Sequence, residues 1–253
     1  MSVKLGGKLT VVVLSLLLLV GCVSNKNPYG QMNERQIFTS GQTALRSHDF
    51  ATAVAAFEAQ EAKYPYGSYA HQEALNIIYA YYRNGDYSSA QAVAERYIQL
   101  HPGGQYVNYA YYMSAMSLFA STRSFLENHF PIDPAFRDTT AINEVFKKFA
   151  LVLRNYPQSP YANDAHLHMI YIRNQIARDF FNVAKYYYSR HAYVAALERV
   201  RSVVFKFQGA PTVPDALVIM YQCYKKLGLT KDAKATLSVL QMNYPQRFRR
   251  IKV

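Results

Sequence analysis

Few side chains in this 253-residue chain are placed to do chemistry, and one of them stands where its neighbours call for a reaction. Cys22 follows Leu19-Val20-Gly21 at the end of the apolar run Leu9–Val20, with Lys4 and Lys8 ahead of it. A thiol just past an apolar export segment and a small residue suits acylation. Residues 1–21 therefore read as a lipoprotein signal peptide, and Cys22 as the lipidated first mature residue. The run is too short and ends too abruptly for a membrane span. The rival readings are an ordinary signal, or an uncleaved anchor with a chance cysteine. Each buried acyl methylene contributes about 0.8 kcal/mol, so several chains hold a protein firmly to lipid. Val23 is not the aspartate that favours inner-membrane retention, so the expected location is the periplasmic face of the outer membrane. The remaining thiol, Cys223, has no mature partner for a disulfide except the lipidated residue, and its place between Tyr221 and Tyr224 suits a buried helical position. His166 and His168 are two apart, so a helix would point them to nearly opposite sides. No Walker loop, nucleophile elbow, HExxH or paired-cysteine motif occurs. The expectation is therefore no enzyme, no cofactor and no metal.

The elements that would position any site are repeats. Asn76–Pro102, NIIYAYYRNGDYSSAQAVAERYIQLHP, holds an apolar helix, a turn at Asn84-Gly85-Asp86, a helix with small residues on one side, and a proline stop. Aligning Tyr87 with Phe50 places Pro102 on Pro65, 37 residues back. That is the helix–turn–helix period of a tetratricopeptide-like solenoid. Repeat one carries Ile37, Gly41 and Ala44, the turn His48-Asp49-Phe50, then Ala53 and Phe57. Small residues there let neighbouring helices approach closely. His191-Ala192-Tyr193 is the equivalent turn in repeat four, which gives His48 and His191 a structural role. Tyr161–Ser189 lacks Gly and Pro and reads as one long helix whose second half opens repeat four. The predicted fold is all-α, a superhelical array of about five tetratricopeptide-like helix pairs. The expected layout is a flexible tether over 22–33, repeats 1–3 over 34–160 with a loop at 121–140, repeats 4–5 over 161–246, and a basic tail over 247–253.

Net charge is +12, and it is unevenly spread. Residues 22–160 hold 11 Lys/Arg and 11 Asp/Glu, whereas residues 161–253 hold 15 against 5. Two surfaces with different partners are implied. Nucleic acid would suit the charge but not an exported lipoprotein. Taking the usual inward positions of the first helices, a substrate groove would use Phe38, Arg46, Leu75, Tyr79, Tyr82, Arg83, Tyr109, Tyr112, Met116 and Phe119. Such a groove suits an extended, apolar-rich segment of unfolded polypeptide. The same tyrosines also suit packing between helices. Docking on an acidic protein would use Arg190, Arg199, Arg201, Lys225 and Lys226; a merely solvated basic face, or attraction to anionic lipid headgroups, is the alternative.

The lipid-signal ending, IYAYYRNGDYSSAQAVAERYIQLHP, the interrupted third repeat, YPQSPYANDA at 156–165 and VAKYYYSRHAYVAALERV at 183–200 together resemble the BamD family. These are tetratricopeptide lipoproteins of the β-barrel assembly machinery, and the similarity covers nearly the whole mature chain. The resemblance implies a non-enzymatic subunit bound to outer-membrane lipid through Cys22. It would join BamA and accessory Bam lipoproteins and promote insertion of other barrel proteins. It further implies that the N-terminal repeats recognise unfolded outer-membrane proteins and that the C-terminal repeats dock on the BamA periplasmic domains. Arg199 matches the family position associated with BamA contact. The tail QRFRRIKV matches no family pattern. The rival reading is another tetratricopeptide lipoprotein, such as a pilus-assembly or peptidoglycan-associated factor. An envelope enzyme on a solenoid platform would need a catalytic domain.

Overall fold

The turns between paired helices show why this chain repeats. His48, Gly85, His191 and Gly228 occupy the same turn position in four repeats, and all have positive φ, at 61°, 84°, 61° and 74°. Glycine enters that region freely, whereas histidine is held there by the turn. The His48 and His191 rings lie edge-on to Phe50 and Tyr193, at 5.8 and 5.9 Å. A computed structural model describes residues 28–129 and 139–251, with side chains in those bounds except 123–129 and 139–140. The expected signal peptide 1–21 and Cys22 lie outside the described residues.

The described residues form five helix pairs and a short terminal helix. The helices are α1 Glu34–Arg46, α2 Phe50–Lys63, α3 Ala70–Asn84, α4 Tyr87–Leu100, α5 Val107–His129, α6 Thr139–Asn155, α7 Ala162–Ser189, α8 Tyr193–Lys206, α9 Val213–Lys226, α10 Thr230–Asn243 and α11 Pro245–Phe248. The helical repeat array expected from the period is present. The chain divides into two compact units, with the boundary between Glu73 and Ala74.

In the first unit, Asn33 and Gln36 form a capping box at the start of α1. The Asp49 side chain accepts from the Thr52 amide to cap α2. A Cβ on Gly41 would sit 2.6 Å from the Phe57 ring, so only glycine permits this approach of α1 to α2. The described part of the tether expected over 22–33 is held from Tyr29 onward. Tyr29 packs with Ile37 and Ala56. Lys63 Nζ donates to the carbonyls of Gly30 (2.9 Å) and Met32 (2.7 Å).

In the second unit, buried alanines let helices close up and larger residues fill between them. Leu75, Ile78, Ala94, Tyr97, Ala110 and Met113 form one cluster, and Ala115, Val145, Phe149, Val152, Ala165 and Ile172 the next. A third gathers Ala177, Ala184, Val200, Val203, Leu217, Cys223 and Leu240. Helix α7 runs 28 residues without a break, about 42 Å at 1.5 Å per residue. Its first half completes the middle cluster and its second half enters the last. Cys223 is fully buried, as expected, and burial pushes its thiol up to about 11.

Two boundaries differ from expectation. Helix α5 continues to His129 and α6 starts at Thr139, so residues 121–129 and 139–140 of the expected loop are helical. Residues 130–138 lie outside the described residues. The basic tail over 247–253 is docked as far as Ile251. Arg247 pairs with Asp215, and Phe248 and Ile251 pack on the last cluster. These contacts cover part of the outer face of the last described repeat.

Candidate functional site

Residues three and four apart on a helix share a face. On α5 this brings Tyr109, Tyr112, Met116 and Phe119 into one row, flanked by Tyr79, Tyr82 and Arg83 on α3. The other flank is Tyr161, Asp164, His168 and Tyr171, at and along the start of α7. The rings pair across helices. Tyr112 stacks on Tyr161, with centroids 4.9 Å apart and planes at 16°, and Tyr109 lies 5.7 Å from the same ring. Phe119 meets His168 edge-on at 5.2 Å and Tyr171 at 5.9 Å. Behind them His168 stacks on the buried Phe149 at 5.1 Å.

One carboxylate is set into this row. Tyr112 Oη donates to Asp164 Oδ2 at 2.6 Å, and His168 Nδ1 lies 3.0 Å from the same oxygen. Burial raises the Tyr112 phenol well above its ordinary range, and the bond to Asp164 adds to the effect. Burial does the same to Tyr109, reinforced by the neighbouring phenols Tyr161 and Tyr79. Both stay protonated hydrogen-bond donors at any physiological pH. Arg83 Nη1 donates to Tyr79 Oη at 2.5 Å, with its guanidinium 5.5 Å from the ring centre.

The expected groove residues thus separate. Leu75 is a correction: it is 8% exposed and clusters with Ile78 and Tyr97, so it belongs to the core and not to an exposed groove wall. Tyr82, Tyr109, Tyr112, Met116 and Phe119 are half-buried walls, while Tyr79 and Arg83 are exposed. Phe38 and Arg46 belong to the first unit. There Phe38 stacks on Tyr69 at 4.4 Å, and Arg46 is exposed in the last turn of α1. Sequence reasoning missed Tyr161, Asp164, His168 and Tyr171, because it gave only the second half of the long helix a role, the opening of repeat four. The usable signal was their 3- and 4-residue spacing.

The opposite side of α5 is polar. A cleft of about 300 Å³ is lined by Glu95, Ile98, Gln99, Tyr111, Ser114, Lys148 and Leu151. Glu95 Oε1 accepts from Lys148 Nζ at 2.6 Å, Gln91 Nε2 at 2.8 Å and Ser114 Oγ at 3.2 Å. Burial alone would raise the Glu95 carboxyl. The bonds from Lys148 and Gln91, the Lys148 charge and the Ser114 bond outweigh it and hold the group below its ordinary range. This network ties α4, α5 and α6 together and so braces the aromatic row.

The expected docking cations do not share one face. Arg190 and Lys225 cover Tyr186 and Tyr221, each ring centre 5.5 Å away, at the C-terminal ends of α7 and α9, where Lys226 also stands exposed. Cations there suit the helix dipole, whatever else they do. On α8, half-buried Arg199 lies 5.8 Å from the Phe180 ring, whereas Arg201 pairs with Glu198 at 3.3 Å. Being two residues apart, these two point to different neighbours. Among the described residues no group of three or more His, Cys, Asp and Glu could hold a metal ion, and no helix is long and apolar enough to cross a membrane.

Comparison with known proteins places the chain. The YfiO family, described as outer membrane lipoprotein, matches residues 30–240. The outer membrane protein assembly factor BamD of Vibrio cholerae is 33% identical over 91% of this chain and 96% of its own. That of Pasteurella multocida is 30% identical over 96% and 93%, and that of Neisseria meningitidis serogroup A 32% identical over 83% and 79%. With a family match over most of its length and relatives near one-third identity across 79% and 96% of theirs, the chain belongs to the YfiO/BamD family of outer membrane lipoproteins.

Proposed function

We propose that this chain is an outer-membrane protein assembly factor of the β-barrel assembly machinery, acting as a lipid-anchored scaffold without chemistry of its own. Acylated Cys22 holds it at the periplasmic face of the outer membrane. Its relatives carry the name assembly factor, and that name fits a molecule whose most developed surface is a row of rings. The observation that carries the reading is the aromatic row of α3, α5 and α7 with Asp164 set into it. Along α5 the residues of the row stand three and four positions apart, about 4.5–6 Å of helix rise. Alternate side chains of an extended strand stand about 6.6 Å apart on one face, so a strand laid along the row meets one ring after another. Barrel proteins consist of such alternating segments with aromatic girdles. The row therefore grips extended, apolar-alternating segments of unfolded outer-membrane proteins, and Tyr79, Tyr171 and Arg83 are its exposed contacts.

The C-terminal repeats dock on the BamA periplasmic domains through Arg199, held by Phe180, while Arg190, Arg201, Lys225 and Lys226, on other faces, add positive charge that steers the approach, and accessory lipoproteins bind elsewhere. Photo-crosslinking from Tyr171 to barrel-protein peptides tests the row. The expected result is strong labelling that Tyr79→Ala with Tyr82→Ala cuts severalfold. Unchanged crosslinking in that double variant discards the row as a substrate site. For docking, Arg199→Glu is expected to reduce co-purification of BamA, most at low salt, where the charges are least screened. If depletion of the chain leaves outer-membrane barrel levels unaltered, the whole reading falls.

A further inference from the structure

The chain between the expected anchor and the fold is short. Cys22 stands six positions before Pro28, where the described structure begins. An extended chain advances at most about 3.6 Å per residue, so that stretch reaches roughly 20 Å. Beyond it the backbone is pinned. Tyr29 is buried and its hydroxyl donates to the Thr52 carbonyl at 3.5 Å, while Lys63 holds the Gly30 and Met32 carbonyls. A lipid on Cys22 therefore tethers one end of the first helix pair, the end where α1 starts and α2 stops. The turn at Ser47–Asp49 lies at the other end of α1, 13 residues or about 20 Å farther.

At the tethered end stands Tyr66, 98% exposed, the most exposed large hydrophobic side chain among the described residues. It is two residues past Tyr64, which packs against Tyr29 and Met32. The loop holding it is braced: the Gly67 amide donates to the Tyr64 carbonyl at 3.0 Å, and the Tyr69 amide to Glu34 Oε1 at 3.0 Å. A ring held fully in water by a braced loop stabilises nothing in the fold. A tyrosine with an apolar body and a hydroxyl tip is, however, at home in the headgroup layer of a bilayer. Lys63 and Arg35 at the same end are balanced by Glu61 and Glu34, so the charge there neither attracts nor repels a headgroup layer strongly and the ring is the feature that selects it.

We propose that the loop Tyr64–Ser68 is a membrane contact: Tyr66 inserts into the headgroup region of the phospholipid leaflet that receives the Cys22 lipid, and so sets how the first helix pair stands on the membrane. This rests on the acylation reading above. The chain has no tryptophan, so Tyr66→Trp makes a lone fluorescent reporter at an exposed site. The full acylated chain is reconstituted in phosphatidylethanolamine/phosphatidylglycerol vesicles with and without brominated acyl chains. Insertion at the headgroup–acyl boundary is expected to shift the emission to the blue and let bromine quench it by about half or more. Ala51→Trp, exposed at the far end of the pair, is expected to remain unquenched. Protein that floats with the vesicles while Tyr66→Trp behaves like Ala51→Trp, quenched or not, overturns the contact and leaves the anchor standing. Protein whose mass lacks acyl chains and which does not float overturns the anchor, and the contact with it.

Discussion

Repeats one and two use side chains to start their second helices, and repeats four and five do not. Asp49 and Asp86 accept from the amides of Thr52 and Ser89, whereas the same positions hold Ala192 and Leu229, which make no capping bond. The backbone turn is nonetheless alike in all four, with positive φ at the same place. The aromatic residues differ in parallel. On α3, α5 and the first half of α7 they pair with one another along a face, while Phe180, Phe181, Tyr187, Tyr188 and Tyr224 pack onto the large C-terminal cluster. One repeat grammar thus has two energetic solutions. The N-terminal repeats add side-chain caps to their apolar clusters and pair rings with one another along a face. The C-terminal repeats pack most of their rings onto one large cluster, to which the residues of α11 and just beyond it also contribute.

The sharpest way to break that contrast is in the C-terminal core. Leu240→Ala removes a fully buried side chain and is expected to destabilise the chain by about 2–5 kcal/mol in denaturant unfolding, against less than about 1 kcal/mol for exposed Tyr79→Ala. A value below 1 kcal/mol at Leu240 would remove the distinction. Next come the caps. Asp86→Ala is expected to cost about 1 kcal/mol, and Ala192→Asp to gain somewhat less, because it supplies the missing acceptor. Equal and negligible effects at both sites would mean that the turn alone carries the start of these helices.

Acid titration separates the regions further. Hydrogen bonds from Ser89 hold the Asp86 carboxyl below its usual value of 3.8, and the Lys148 network holds Glu95 below 4.5. A depressed carboxyl stabilises the fold above its unfolded pKa, and that contribution is lost as pH falls through the folded value. Stability is therefore expected to decline below about pH 4.5, and Lys148→Met to flatten the part of that slope due to Glu95. The smallest effect is on Cys223. Its buried thiol, with a pKa of about 11, is expected to resist alkylation at pH 8 until denaturant is added. Rapid labelling of the native chain would show the C-terminal cluster to be looser than its packing implies.

Much of the fold was legible because its signals are local. The 37-residue period, the glycine or histidine at the turn, the buried alanines and the uninterrupted long helix all follow from neighbours within one or two turns. The aromatic row was half legible. Helical spacing put Tyr79, Tyr109 and Tyr112 on one face, but spacing could not say that Leu75 turns inward or that Tyr161 and Asp164 complete the row. Residues 121–129 and 139–140 of the loop expected over 121–140 are helical, and a break in the repeat spacing does not show where the flanking helices end.

The sequence by itself determined the period, the turns and the charge asymmetry, because φ preference, residue size and ionisation belong to each residue wherever it sits. Only the tertiary structure decided which side chains meet. Tyr112 finds Asp164 from 52 positions away, Lys63 holds Gly30 from 33, and Arg247 reaches Asp215 from 32. Those pairings depend on how closely each helix approaches its neighbour and which rotamer fits the gap, and neither is set until the array is assembled.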